Sequence, residues 1–261
     1  MSAEKPYLCG MKRIILLILV PALLATTACQ REIPISDIFV DPTSKTLFVG
    51  ESFELHIQYI PEDATNTDEI EVYSTNENIA SYSNGTVKAK NAGTAAITAS
   101  CGNSLDQCRI KVYQYALKKG GKSYGIDYAD GYASTMGESS IQAVEIFLIH
   151  NDPNGITQNL EFWMRASQFG KDVDFTKDPG DAFVSVFMNN NEDGYTVYMG
   201  DDGEPRIKTA DWSDTDATLK HGILHVDQGT SNQYKIHVDF ELSNGYSFGT
   251  DWEGYVNMKV D

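Results

Sequence analysis

The sequence predicts an all-β protein, in which an N-terminal β-sandwich is followed by a larger antiparallel β-sandwich or flattened barrel. Apolar and polar residues alternate in many short segments, most regularly over residues 234–242, as expected for strands that bury one face. Turn-forming pairs such as Asn84-Gly85 separate these segments at the short intervals typical of antiparallel sheets. No segment keeps a helical apolar stripe for three turns, although residues 137–143 are long enough for a short helix.

The strands of the N-terminal half follow from this alternation. Residues 53–59, 95–101 and 108–112 each place apolar side chains at every second position, which predicts one buried and one solvated face. The last two runs are separated by a few polar residues and Gly102, so we expect them to pair as a hairpin.

Five short runs in this half carry the pattern of a known domain family. They are residues 46–51, 61–65, 74–80, 84–89 and 92–99. In order and spacing they resemble the bacterial Ig-like domain of group 2, over residues 35–113. The resemblance implies an immunoglobulin-like β-sandwich that serves as a spacer or display stalk, and it implies no chemistry. Val72 stands where the family usually has a core Trp, so we expect a repacked centre with less apolar burial.

The N-terminal segment has the pattern of an export signal. Lys12 and Arg13 precede an apolar run over residues 14–25, and Ala28 directly precedes Cys29. A charged start, a short apolar segment and small residues at its end are typical of such signals. The apolar run is shorter than a bilayer-spanning helix requires.

With its cysteine, this segment resembles the bacterial lipoprotein signal, from which it departs by having Thr26 in place of the usual Leu. The resemblance implies that residues 1–28 are removed, that Cys29 is acylated and that residues 29–34 are a tether. Translation from Met11 would give the same mature protein. We therefore expect an exported protein, lipid-anchored to the outer membrane and exposed at the cell surface, with plain secretion or an uncleaved signal anchor as alternatives.

The charge of the chain excludes several classes of partner. Its formal net charge is −17, from 20 Lys and Arg against 37 Asp and Glu. So acidic a protein repels nucleic acid and anionic membrane surfaces, and no basic patch suggests phosphate binding. We therefore expect no nucleic-acid partner and contact with the membrane through the lipid anchor only.

Two cysteines lie in the first predicted domain. Cys101 and Cys108 fall on the two strands predicted to pair, and both are in phase with the inward residues. In an exported protein such a pair is able to form a cross-strand disulfide. The alternative is two buried thiols that behave as small apolar residues.

Residues 114–261 are predicted to form the second domain. Residues 118–123 have the composition of a short linker or turn, and strand-like runs continue from there to the end of the chain. The closing segment, residues 221–256, resembles the final hairpins of β-sandwich domains in surface lipoproteins of gut Bacteroidota. This resemblance implies a surface protein and no chemistry.

The histidines and acidic turns do not predict a metal site. His221 and His225 would share one face of a helix, but their setting predicts a strand, where their rings would be roughly 13 Å apart. His225 and His237 are expected to lie near each other across a hairpin, where two histidines without a third ligand are usually surface residues. The Asp- and Asn-rich segments 189–194, 201–204 and 211–216 are candidates for loose calcium binding, and ordinary solvated turns are the preferred interpretation. We expect no cofactor.

The candidates for catalysis and ligand stacking lie in the second domain. Glu145 and Glu161 sit within predicted strands and are the candidates for a glycosidase carboxylate pair, although an outward, solvated position is preferred. Trp212 lies in a polar segment without a core, which favours an exposed platform for a sugar ring. Trp163 and Trp252 are expected to be core residues.

These observations support three hypotheses. The preferred one is a non-enzymatic surface lipoprotein for adhesion, in which an Ig-like stalk presents a β-sandwich that binds a glycan or a surface or host protein. The alternatives are a surface glycan hydrolase whose second domain is catalytic, and a structural subunit of a surface assembly.

Overall fold

The computed structural model describes residues 31–136, 140–152, 154–188 and 194–260. Over these residues the chain forms 22 β-strands in two sandwich-like domains and contains no α-helix, which confirms the predicted fold class. No helix in the same ranges is long and apolar enough to cross a membrane. The expected leader and Cys29 lie outside the described residues.

The first domain is built from nine strands. Their bounds are Asp37–Asp41 (β1), Ser44–Phe48 (β2), Ser52–Glu54 (β3), His56–Ile60 (β4), Glu71–Ser74 (β5), Ala80–Ser83 (β6), Thr86–Ala89 (β7), Gly93–Cys101 (β8) and Ser104–Tyr113 (β9). One sheet has the order β2-β9-β8-β5, a second has the order β3-β7-β6, and β1 pairs with β4. All pairings are antiparallel except that of β2 with β9.

The predicted turn between β6 and β7 is confirmed. Ser83 pairs with Thr86, and the two residues between them have positive φ, 49° at Asn84 and 81° at Gly85. This is the backbone that a two-residue hairpin needs to match the right-handed twist of its strands.

The alternation in β8 and β9 produces the core of the first domain. Ile97, Ala99 and Ile110 are buried, together with Val87 from the second sheet. Val72 lies at the margin of this core and is only partly buried. The centre is therefore filled by small and branched side chains, as the absence of the usual Trp predicts.

The two cysteines of this domain are buried free thiols. They lie on paired strands as predicted, but the register places Cys108 opposite Ile97 and Cys101 opposite Ser104. Four residues of strand, roughly 13 Å, therefore separate the two cysteines, whereas a disulfide needs Cα atoms within about 7 Å. Burial raises the pKa of Cys108 to about 11. The register thus favours the thiol alternative.

The second domain contains thirteen strands in the described part of the chain. Their bounds are Ala116–Lys119 (β10), Lys122–Gly125 (β11), Tyr128–Met136 (β12), Ser140–Asn151 (β13), Thr157–Arg165 (β14), Asp172–Asp174 (β15), Phe183–Met188 (β16), Tyr195–Met199 (β17), Pro205–Thr209 (β18), Leu219–Gln228 (β19), Gln233–Leu242 (β20), Ser247–Tyr255 (β21) and Asn257–Val260 (β22). A six-stranded sheet has the order β11-β10-β21-β20-β19-β15, and a seven-stranded sheet has the order β18-β17-β16-β14-β13-β12-β22.

Of the predicted linker or turn over residues 118–123, the turn is confirmed: these residues belong to the β10–β11 hairpin, whose turn is Gly120-Gly121 with φ of 55° and 77°. The segment considered as a short helix is part of a strand from Ser140 onward, because tertiary pairing with β12 and β14 overrides a weak local preference. At Val256 the chain leaves the six-stranded sheet and joins the seven-stranded one.

The core of the second domain lies between its two sheets. Inward residues of the seven-stranded sheet, such as Phe162 and Ile146, pack with inward residues of the six-stranded sheet, such as Tyr234 and Phe240. A buried hydrogen bond from Lys119 Nζ to Gln158 Oε1, 3.0 Å long, also connects the two sheets. The outward faces of both sheets therefore take no part in this core.

The two domains meet at Asp127. Its carboxylate accepts hydrogen bonds from Lys111 Nζ at 2.7 Å and Tyr113 Oη at 3.1 Å, and from the backbone N–H of Asn151 at 2.8 Å. Burial opposes its ionisation, but these donors hold the pKa of Asp127 below its usual value. The Tyr113 ring lies against Gly125, where a Cβ atom would be 2.0 Å from it, so only glycine fits. The junction is therefore a packed contact.

Candidate ligand-binding site

The outer face of the seven-stranded sheet carries two rows of side chains that run across all seven strands. The aromatic row contains Arg206, Tyr198, Phe183, Trp163, Glu145, Tyr132 and Lys259. The polar row contains Lys208, Thr196, Ser185, Glu161, Phe147, Asp130 and Asn257. Directly opposed residues in neighbouring strands lie within side-chain contact, so each row is a continuous ribbon on the surface.

A cleft of about 670 Å³ opens over the β14–β16–β17 part of this face. Its floor includes the hydroxyls of Ser185 and Thr196, which are buried and joined by a 2.8 Å hydrogen bond. Residues 178–182 form part of its lining, and Gln168 holds that segment by donating to the carbonyl of Pro179 at 2.8 Å. The cleft therefore has a polar floor that is fixed by the sheet.

Trp212 lines the same cleft and is exposed, with 60% of its surface accessible. It lies in the turn after β18 with a φ of 65°, and its backbone N–H donates to the carbonyl of Thr209 at 2.8 Å. Its ring centroid is 6.0 Å from that of Tyr198, at an interplanar angle of 46°. A turn with defined hydrogen bonds thus presents a large aromatic ring to solvent beside a second ring, as predicted for a stacking platform.

Glu145 and Glu161 lie on this outer face, as the preferred interpretation expected, but they form a pair. They occupy diagonal positions on β13 and β14, since Glu145 faces Trp163 and Glu161 faces Phe147. Burial, a side-chain hydrogen bond with Glu145 and the negative charge of Glu145 raise the pKa of Glu161 to about 7. Glu161 therefore keeps its proton to a higher pH than an ordinary carboxyl group, and it also lines the cleft.

The charges around the cleft are mainly negative. Glu161, Asp178, Asp181 and Asp201 line it, whereas no Lys or Arg belongs to its described lining. Arg165 forms an ion pair with Asp181 and lies 5.8 Å from the centre of the Trp163 ring. Asp181 is thus neutralised by a cation and Glu161 is only partly ionised near neutral pH, so the remaining negative charge of the cleft comes from Asp178 and Asp201.

The prediction that Trp163 belongs to the core was wrong. It alternates with the buried residues Phe162 and Met164, so it points away from the core and is half-buried on the outer face. Trp252 is buried and packs in the core, as predicted.

The acidic turns near the cleft are engaged by protein groups. Asp202 pairs with Arg206 and Asp214 pairs with Lys208, while Asp211 accepts from the N–H of Ser213 at 3.1 Å. Of the remaining candidate segment, 189–194, residues 189–193 lie outside the described ranges. Within the described ranges, no group of three His, Cys, Asp or Glu side chains could hold a metal ion.

Sequence reasoning found one aromatic platform and both carboxylates but missed their neighbours. Tyr198, Ser185 and Thr196 join the site only because β16 and β17 follow β14 in the sheet. The available signal lay in β17, whose residues alternate in direction. Thr196 and Tyr198 have the same phase in this strand, so both point to the outer face of the sheet.

Comparison with known proteins identifies the first domain. Residues 34–112 match the family of bacterial Ig-like domains of group 2, which confirms the resemblance of that segment; the match covers less than a third of the chain. No curated protein shows a significant match to the sequence.

Two solved structures align with most of the chain. Domains 5–6 of the S-layer protein SbsC are 15% identical, with 85% of this chain and 97% of that chain covered and a TM-score of 0.26. An E-to-A mutated variant of titin domains I67–I69 is 11% identical, with coverage of 87% and 99% and a TM-score of 0.23. At these TM-scores, neither similarity supports an argument about fold or function.

Proposed function

We propose that this chain is a non-enzymatic bacterial cell-surface lipoprotein that binds a glycan in the cleft of its second domain. The observation that carries the proposal is the exposed Trp212 ring, set in an ordered turn beside Tyr198 on a cleft with a hydroxyl-lined floor. Apolar sugar faces pack on exposed aromatic rings, and sugar hydroxyls exchange hydrogen bonds with serine, threonine and carboxylate groups. A volume of about 670 Å³ is within the usual range of small-molecule sites, about 300–1,000 Å³.

The electrostatics of the cleft narrow the class of glycan. Asp178 and Asp201 would repel uronic, sialylated or sulfated sugars and would accept hydrogen bonds from neutral or amine-bearing ones. The proposed ligand is therefore a neutral or amino-sugar glycan.

The remaining parts of the chain fit a display role. The expected lipid on Cys29 would hold the protein to the outer membrane, and the Ig-like domain would place the second domain at a distance from it. Metabolic labelling with a fatty acid tests the anchor, because Cys29→Ser should abolish labelling and release the protein. Label that persists in Cys29→Ser would contradict the lipidation.

Binding is tested with soluble residues 30–261 on an array of neutral, amino-sugar and anionic glycans. Trp212→Ala should weaken binding at least about fivefold, since stacking on one aromatic ring contributes about 1–3 kcal/mol for nucleic-acid bases, whose flat faces pack in the same way. Tyr73→Ala removes another exposed aromatic residue, in the first domain and away from the cleft, and should have no effect. Absence of glycan binding, or equal loss in both variants, would refute the proposal.

A glycan hydrolase is the second candidate, and the raised pKa of Glu161 favours it. A carboxyl group with a pKa near 7 is suited to act as a general acid. However, glycosidase carboxyl groups stand about 5–5.5 Å or 6.5–9.5 Å apart, whereas Glu161 is close enough to Glu145 for a side-chain hydrogen bond to raise its pKa. Sugar release that is lost in both Glu161→Gln and Glu145→Gln, with binding retained, would establish the hydrolase instead.

A further inference from the structure

The aromatic residues on the outer face of the seven-stranded sheet continue beyond the cleft. Trp212, Tyr198 and Phe183 line the cleft, and β14 adds Trp163 directly beside Phe183. Farther along the same row, Tyr132 on β12 is 39% exposed. The outward side of β20, on the other sheet, carries only charged and polar residues, so an outward face in this domain does not require aromatic ones. Exposed aromatic residues that continue a cleft therefore indicate a longer contact surface.

Tyr132 forms a second ordered platform at the far end of this surface. Its ring stands edge-on to that of Phe147, with centroids 6.3 Å apart and an interplanar angle of 86°. Lys259 Nζ lies 5.1 Å from the centre of the Tyr132 ring, within the range of a cation–π contact. Contacts of this kind restrict the ring before a ligand arrives, which lowers the entropy cost of binding.

Hydrogen-bonding groups accompany the aromatic residues over the same strands. Ser185, Thr196 and Glu161 lie in the cleft, and Asp130 on β12 accepts a hydrogen bond from Asn257 Nδ2 at 2.9 Å. A polysaccharide presents apolar ring faces and hydroxyl groups along its whole length, so it matches an aromatic row beside a polar one. An apolar protein surface would instead leave these polar groups without partners, which costs free energy.

The length and twist of the surface define which polysaccharide fits. Four strand spacings separate β17 from β12, which places Tyr198 and Tyr132 roughly 19 Å apart. Adjacent strands rotate by about 20–25°, so the surface turns by roughly 80–100° over this distance. A single chain of several sugar units is able to follow this turn, whereas the flat face of a crystalline glycan would contact only one end.

We infer that the cleft is one end of an extended site, in which a single soluble β-1,4-linked polysaccharide chain crosses the strands from Trp212 to Tyr132. The inference rests on the glycan binding proposed above and specifies its ligand. The β-1,4 linkage gives the extended chain that a site of this length requires. Glu145 and Glu161 lie on the two strands between the platforms, so the chain would pass over both carboxyl groups.

The test is calorimetric titration of soluble residues 30–261 with cello- and chito-oligosaccharides, from the disaccharide to the octasaccharide. Affinity should rise with chain length until the chain reaches Tyr132 and should then stay constant. Trp212→Ala should weaken the binding of every length, whereas Tyr132→Ala should weaken only that of the longest chains, by at least about fivefold. Tyr255→Ala is the matched control, because it removes an exposed aromatic residue from the outward side of β21 and should change neither.

The outcomes separate the extended site from the cleft itself. Short chains that bind through Trp212, with no gain for longer ones and no effect of Tyr132→Ala, would overturn the extended site and leave the cleft proposal standing. Absence of binding by both series would also overturn it, and the glycan array then decides on the cleft separately. Attachment to crystalline cellulose or chitin that is lost in Tyr132→Ala would contradict the single-chain ligand. Unchanged short-chain binding in Tyr132→Ala shows that this variant is folded.

Discussion

The two sheets of the second domain bury similar inner faces and present different outer ones. Along β20 every outward residue is exposed, and these residues are charged or polar. Along β14 the outward residues before Arg165 are half-buried, although no described strand lies over them. Residues of the 178–182 segment and Trp212 line the cleft on this face. The inner faces therefore hold the shape of the domain, and the outer faces determine what each sheet is able to contact.

The largest expected effect separates the inner face from the outer one. Phe162→Ala should lower the free energy of unfolding by about 3–5 kcal/mol, because it leaves a cavity in the fully buried centre. Lys235→Ala, on the outward side of β20, should change it by less than about 0.5 kcal/mol. Urea unfolding measures both, and equal losses would show that the inner and outer faces are wrongly assigned.

A smaller effect should distinguish the carboxyl pair from an ordinary surface carboxylate. Because the pKa of Glu161 is raised to about 7, the folded state holds its proton more tightly than the unfolded chain does. The resulting stability is fully present below about pH 4.5 and is lost as the pH rises through 7. Allowing for partial solvent screening, we expect a loss of about 1–2 kcal/mol.

Glu161→Gln should remove this part of the pH dependence and should be more stable than the parent at pH 8. The matched control is Glu253→Gln, which replaces an exposed carboxylate on the other outer face and should leave the slope as it is. Urea unfolding at pH 4.5, 6, 7 and 8 gives the comparison, and parallel curves for parent and Glu161→Gln would contradict the raised pKa of Glu161.

The smallest effect on stability is expected at the proposed platform. Trp212→Ala should change the free energy of unfolding by less than about 0.5 kcal/mol, because the ring is exposed and its turn is held by backbone bonds. A loss above about 1 kcal/mol in thermal or urea unfolding would mean that Trp212 supports the sheet, and its effect on ligand binding would then be indirect.

The sequence predicted strands and turns well and long-range neighbours poorly. The hairpin at Asn84-Gly85 and the alternation of β20 depend on local backbone preference and burial, so both are visible in the chain. The opposition of His225 and His237 was also predicted, because a hairpin brings together residues near in sequence. The sequence did not predict that Trp212 and Glu161 line the same cleft, because this depends on the order of strands in the sheet. Trp163 was assigned to the wrong face because a large aromatic residue is compatible with either side of a half-buried strand.

The parallel pairing of β2 with β9 has a mechanical consequence. Ser44 lies beside Arg109 and Phe48 beside Tyr113, so the first strand of this sheet and the strand leading to the second domain run side by side in the same direction. If the membrane end is held while a bound ligand pulls on the second domain, the two strands are drawn along each other's length. Their hydrogen bonds would then share the load and break together, whereas a hairpin pulled from its open end would unzip one bond at a time. The first domain would thus resist tension best when its two ends are pulled apart.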